Sequence, residues 1–114
     1  MKTASCKAKA RRLQNKLAED IRRVLGLPEE DVKPALMGEQ GMDIKLSEKA
    51  RAVFPWATEA KNTETLKIWA AIEQAEDHAE KEGLKPLVAF TRNRHGIYVV
   101  LKWEDFLELV TNGK

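Results

Sequence analysis

Three residues in this sequence have the types and spacing to act on a phosphodiester: Asp43, Glu59 and Lys61. That bond resists hydrolysis because its negative charge repels a nucleophile and further charge gathers in the transition state. A divalent cation held by carboxylates answers both difficulties, since it lowers the pKa of a bound water and stabilises developing charge. The smallest protein kit is therefore two acids on neighbouring strands and a basic side chain near the attacked phosphate. Asp43 follows the glycine-bounded stretch Gly38-Glu39-Gln40-Gly41 and stands in an alternating run, while Glu59-Ala60-Lys61 ends another. Side chains at i and i+2 share one strand face, which places Glu59 beside Lys61. If the two strands pair, Asp43 comes close to Glu59. A ligand set of oxygens then selects Mg2+, with Mn2+ able to substitute.

An acid-x-Lys triplet is easily met by chance in a chain of which 33% is charged. Asp31-Val32-Lys33 and Asp43-Ile44-Lys45 are two more, and most such triplets are surface ion pairs or nothing. What separates Glu59-Ala60-Lys61 from them is the order of elements around it. Residues from Lys7 to Leu25 have helical spacing, with Leu13, Leu17, Ile21, Val24 and Leu25 on one side, and Gly26 and Pro28 end the helix. An extended stretch near Val32 to Met37 precedes a strand at Met42 to Leu46. Ser47 is the N-cap of a short helical turn carrying Ala50, Val53 and Phe54. Trp56 to Lys61 reads as a strand, and a long helix is expected from Thr63 to Glu82 on an apolar line of Ile68, Ala71, Ile72, Ala75 and Ala79, stopped by Gly83. Leu87 to Phe90 and Ile97 to Leu101 are strands joined by the basic turn Thr91 to Gly96, and a last helix carries Phe106, Leu107 and Val110. The natural packing of this order is a sheet between helices, an α/β (α+β) fold.

At 114 residues the chain is read as one domain, 1–114. It has no apolar run near the length that spans a bilayer, about 20 residues, and its basic N-terminus lacks the apolar core of a signal peptide. With the lone Cys6 this points to an intracellular, reducing setting without a membrane partner. The net charge of +2 hides a gradient: residues 1–23 hold eight Lys and Arg against Glu19 and Asp20. Two readings of that basic end stand together, a local grip on a polyanion such as nucleic acid and a solvated helix face.

Longer blocks carry more information than three letters. They are Met37 to Ile44, Leu46-Ser47 with Ala50-Arg51 and Phe54-Pro55, Glu59-Ala60-Lys61-Asn62, Ile68-Trp69, Glu73-Gln74-Ala75, and Pro86 to Arg94. In these blocks the chain resembles the PD-(D/E)XK nuclease superfamily, and within it the small phage and archaeal Holliday-junction-resolvase-like proteins. The resemblance implies a restriction-endonuclease-like core, a central mixed sheet flanked by helices in the order α-β-β-β-α-β-β-α. It implies that Asp43 and Glu59 ligate Mg2+ with the backbone carbonyl of Ala60, and that Lys61 orients or activates the water and offsets charge on the phosphorane. It further implies a DNA endonuclease acting on branched or structured DNA. Two coordinated incisions would be made by a twofold homodimer, in the host cytoplasm if the chain is phage-encoded.

One position departs from the pattern. Many relatives carry a glutamate on the first helix, and in register that position is Gln14, which either holds a water beside the cation or is a satisfied core amide. Gln74 matches a polar family position near the site, although its place off the densest apolar line also suits a solvated glutamine. Lys7, Lys9, Arg11, Arg12 and Lys16 on the first helix, with Arg92 and Arg94 in the turn beside His95, are the expected phosphate contacts, sequence-independent and salt-sensitive. His78 and His95 have no zinc-ligand spacing. Trp56, Trp69 and Trp103 are read as core or interface rather than as stacking platforms. A phosphate-binding glycine loop and a Ser-His-Asp arrangement are both missing, which argues against a nucleotide triphosphatase and a serine hydrolase. The alternatives to a resolvase are a nicking or restriction-type nuclease, or a silent nucleic-acid-binding module of the same fold.

Overall fold

Leu13, Leu17 and Ile21 recur at the spacing of one helix face. They line α1 (Lys2–Leu25) in the computed structural model, which describes residues 2–113 and the side chains of residues 5–113. Leu13 and Ala18 are buried, and Leu17 and Ile21 pack half-buried on a cluster of Val32, Ile44, Leu46 and Ala50. Val24 and Leu25, expected on the same face, are exposed. They line an open groove with Val53 and Leu109 instead of meeting a closed core.

A 3-10 turn at Glu29–Asp31, not anticipated from the sequence, leads into β1 (Val32–Pro34), which pairs antiparallel with β2 (Ile44–Leu46). Arg22 anchors this hairpin to α1 by donating to the Val32 carbonyl at 2.7 Å. Ser47 caps α2 (Glu48–Val53) as expected, its hydroxyl oxygen accepting the Ala50 N–H at 3.1 Å. The most buried strand is β3 (Trp56–Asn62), whose first five residues are all shielded from solvent.

The long helix α3 (Ile68–Glu82) begins at Ile68 rather than at Thr63. Tertiary bonds hold the intervening residues out of the helix: the Thr63 N–H donates to the Thr91 carbonyl at 3.3 Å, and the Glu64 carboxylate accepts the Asn93 N–H at 2.7 Å. The helix ends at Gly83, φ 69°, where the Gly83 and Leu84 N–H groups both reach the Ala79 carbonyl. A Cβ on Gly83 would meet nothing within 4 Å, so Gly83→Ala costs only backbone strain. That is about 1–2 kcal/mol in the left-handed region. The expected thermal melt is lower by about 4–8 °C per kcal/mol, with Gly83→Asn milder than Gly83→Ala.

The chain continues through β4 (Lys85–Thr91), parallel to β3, and β5 (Tyr98–Val100), antiparallel to β4, giving a mixed three-stranded sheet in the order β3-β4-β5. In its register Glu59 faces Val88, Lys61 faces Phe90, and Phe90 faces Tyr98. The expected single central sheet is thus divided, because β1 and β2 form a sheet of their own. Helix α3 covers the face that carries Glu59, Lys61 and Val88, packing Ala71 and Ala75 on Val88. Helix α1 lies against the other face, where Asn62 Nδ2 donates to the Lys9 carbonyl at 3.1 Å. The result is a mixed α/β fold with the sheet between helices.

The last helix, α4 (Trp103–Asn112), has the expected apolar residues but buries none of them. Trp56 is core, whereas Trp69 and Trp103 are 74% and 67% exposed, so of the two places expected for them, core or interface, the core is ruled out. Trp103 stacks instead on Phe106 of its own helix, and the exposed Cys6 carries a free thiol. Among the described residues, no helix is long and apolar enough to cross a membrane.

Candidate active site

Gly41 has φ 99°, a conformation that L side chains rarely adopt, and its turn delivers Met42 and Asp43 onto the edge of β3. Met42 is buried with Ala57 and Ala79 and fixes the approach. Asp43 then docks by two bonds: its N–H donates to the Thr58 carbonyl at 3.1 Å, and its carboxylate Oδ2 accepts the Ala60 N–H at 2.7 Å. The expected meeting of the two acid-bearing segments therefore occurs, through one residue rather than a ladder. In an extended strand the N–H and C=O of one residue point to the same edge. The Ala60 carbonyl accordingly faces the Asp43 side, away from β4.

Glu59 and Lys61 project together from β3 toward α3. Each meets one side chain there: Glu59 Oε2 lies 2.5 Å from His78 Nδ1, and Lys61 Nζ donates to Gln74 Oε1 at 2.7 Å. Gln74 and His78 are four apart on a helix that runs back along the strand, so they match the two-residue spacing of Glu59 and Lys61. Gln74 is thus engaged with the candidate site and is not merely solvated. His78, passed over in the sequence because it has no metal-ligand spacing, is the close neighbour of the most buried acid. Against an ionised carboxylate the ring must be the donor, which places the proton on Nδ1.

Glu59 is 2% exposed, and Asp43 is partly buried. Burial pushes the Asp43 carboxyl above its ordinary value, and the Ala60 N–H, Lys61 and His78 offset only part of that. Burial also raises Glu59, helped by the charge of Asp43, while His78 and Lys61 work the other way. Two acids that resist ionisation together form a site that a cation would relieve. Among the described residues, no group of three His, Cys, Asp or Glu side chains gathers as a metal cage. The donor set is two carboxylates and the Ala60 carbonyl, which fits Mg2+, an ion that keeps several waters and needs only one or two protein carboxylates.

A stability signature follows. Because both carboxyls hold their protons more tightly folded than unfolded, the folded state binds more protons just above the ordinary carboxylate range. Stability therefore falls as pH rises through that window, and the full cost persists above it. Without divalent ions, Glu59→Gln is expected to melt higher than wild type at about pH 8, the gap closing toward about pH 4. Mg2+ should stabilise the wild type and not the variant. Equal melting of the two proteins across this range would show that Glu59 bears no such strain.

Gln14 is half-buried and lines a groove of about 200 Å3 with Lys7, Arg11 and Asp43, so it reaches the Asp43 side of the site but not Glu59. The basic residues divide. Arg11 donates to the Ala35 carbonyl at 3.0 Å, Lys9 pairs with Glu64 at 3.7 Å, and Lys16 pairs with Asp20 at 3.0 Å, so these three have structural work. Lys7, Arg12, Arg92 and Arg94 are exposed, with no side-chain bond among the described residues. Lys45 of the Asp43-Ile44-Lys45 triplet pairs at 3.4 Å with Glu39, outside the triplet, so that triplet is not the self-contained ion pair expected of such patterns. Compared with known proteins, the chain matches no family model, no curated protein and no solved structure.

Proposed function

We propose that this chain is a Mg2+-dependent endonuclease that hydrolyses DNA phosphodiester bonds, preferring branched or otherwise structured DNA, on a restriction-endonuclease-like core. The observation that carries the reading is the docking of Asp43 onto β3 beside Glu59 and Lys61. Carboxyls raised by burial, with the charge of Asp43 adding to the rise at Glu59, next to an ammonium group, suit a cation-assisted attack on a phosphate. A bound Mg2+ supplies Lewis acidity toward the phosphoryl oxygen, with Mn2+ able to substitute. Asp43, one oxygen held by the Ala60 N–H, would hold the ion together with Glu59 and the Ala60 carbonyl. Glu59 is held in place by His78. Lys61, oriented by Gln74, sets its positive charge against the phosphate and the attacking water. Lys7 and Arg12 from one side and Arg92 and Arg94 from the other would hold flanking phosphates, with affinity falling as salt rises. Paired incisions call for a twofold dimer.

A second reading has one observation in its favour: among the described residues no third metal-ligating side chain joins Asp43 and Glu59, and Gln14 lines the groove beside Asp43. That suits a nucleic-acid-binding module of the same fold without catalysis. Cleavage of a labelled four-way junction, beside linear duplex and single strand, with Mg2+ and with Lys61→Ala as control, separates the readings. Symmetric cuts on the junction, lost in the variant, are the expected result. Cutting of every substrate would retain the nuclease and remove the preference for branches. Binding without cutting in Mg2+ or Mn2+ would establish the silent module.

A further inference from the structure

The register of the sheet extends the candidate site into a row of side chains. Lys61, Phe90 and Tyr98 are successive cross-strand partners, so all three project from the face that α3 covers. Neighbouring strands are about 4.8 Å apart, which places Tyr98 about 10 Å from Lys61, the span of one nucleotide from its phosphate to the far edge of its base. Helix α3 begins only at Ile68, and this leaves the far end of the row uncovered. A cavity of about 230 Å3 opens there, floored by Leu66, Phe90 and Tyr98 and rimmed by Arg92 and His95. An apolar cavity of about 150 Å3 is enough to hold benzene.

The walls of this cavity are built. Thr91 Oγ1 donates across the turn to the Gly96 carbonyl at 2.8 Å, and the Glu64 carboxylate, the one acid at the rim, is occupied by the Asn93 N–H and by Lys9. The Phe90 and Tyr98 rings lie 6.1 Å apart and tilted by 32°, so they share no stacking face with each other. Tyr98 is 61% exposed, which leaves its ring open to a stacking partner.

The geometry points to a nucleobase subsite: an unpaired base of the DNA strand stacks on Tyr98 and Phe90 while its phosphate lies between Lys61 and Arg92. This rests on the nuclease reading and sharpens it. A base inside a duplex cannot leave its stack without cost, whereas a base at a branch point or in a single strand can. The cavity would therefore supply the preference for structured DNA, and the basic residues would supply general affinity.

The test uses the full chain with a single-stranded decamer carrying one 2-aminopurine, in Ca2+ so that binding is read without cutting, beside a linear duplex. Stacking on Tyr98 should quench the 2-aminopurine. Tyr98→Ser should weaken single-strand binding by about tenfold, the scale of base–aromatic stacking, and leave duplex affinity unchanged. Tyr98→Phe should retain both quench and affinity, which guards against a merely misfolded strand, and Arg92→Ala should weaken binding of both DNAs. Equal single-strand binding and quench by wild type and Tyr98→Ser would overturn the subsite, and duplex cutting in Mg2+ would still leave the nuclease standing. Quenching lost in Tyr98→Ser, in a protein that cuts nothing, would keep the subsite and overturn the nuclease.

Discussion

Replacing Lys61 with alanine is expected to lower the rate of DNA cleavage by about a hundred- to a thousandfold, while DNA affinity falls by no more than the loss of one phosphate contact among several. Affinity for a polyanion is spread over many phosphate contacts, and this chain offers other exposed cations in Lys7, Arg12, Arg92 and Arg94. Lys61 differs from them in being held by Gln74 on the face that also carries Glu59. On the proposed nuclease reading its charge is fixed near the position where charge would develop, and its loss should appear in kcat rather than KM. Glu59→Gln and Asp43→Asn should abolish cleavage as well, but with a loss of Mg2+ binding that Lys61→Ala does not show. Lys61→Arg should not restore the rate, since the longer, planar guanidinium would not set its charge where the Lys61 Nζ stands beside Gln74. Wild-type cleavage by Lys61→Ala, measured in single turnover, would remove Lys61 from the chemistry.

The parts of the fold that depend on local rules were readable from the sequence. The period of α1, the Ser47 cap, the Gly83 stop and the strand that opens at Trp56 after Pro55 are decided by residues within a few positions of each other. So was the core of the candidate site, because Glu59 and Lys61 are related by strand alternation and Asp43 by the turn before it. What the sequence hides is settled across space. The start of α3 depends on Thr91 and Asn93 gripping Thr63 and Glu64, residues far away in the chain. The division into two sheets depends on how short β2 is, which leaves Asp43 alone to bridge to β3. Charge was the least readable property of all, since Arg11 and Arg22 look like any basic residue of α1 and yet are spent on the carbonyls of Ala35 and Val32. One further signal lies in the sequence: Gln74 and His78 are four apart on the helix, which is the spacing that answers Glu59 and Lys61.

That pairing gives the other large expected effect, at His78. Glu59 is nearly inaccessible to solvent, and His78 Nδ1 is the one side-chain donor within hydrogen-bond distance of it among the described residues. If Glu59 ligates Mg2+ as proposed, its carboxylate must be oriented and kept ionised, and a ring N–H serves both ends. His78→Leu should therefore weaken Mg2+ binding by about 10- to 100-fold, the usual cost of removing a partner that orients a metal ligand. The sign with pH also follows. His78 favours the charged form of Glu59, so without it burial and Asp43 raise that carboxyl further, and Mg2+ should bind half-maximally only at higher pH. His78→Asn, which places an amide N–H near the position of Nδ1, should recover part of the affinity, whereas loss of mere packing would not be recovered by a smaller side chain. Calorimetric titration of Mg2+ across pH on the three proteins reads all of this without DNA. If His78→Leu binds Mg2+ as wild type does, with the same pH midpoint, then the contact with Glu59 only packs α3 on the sheet and Asp43 sets the affinity alone.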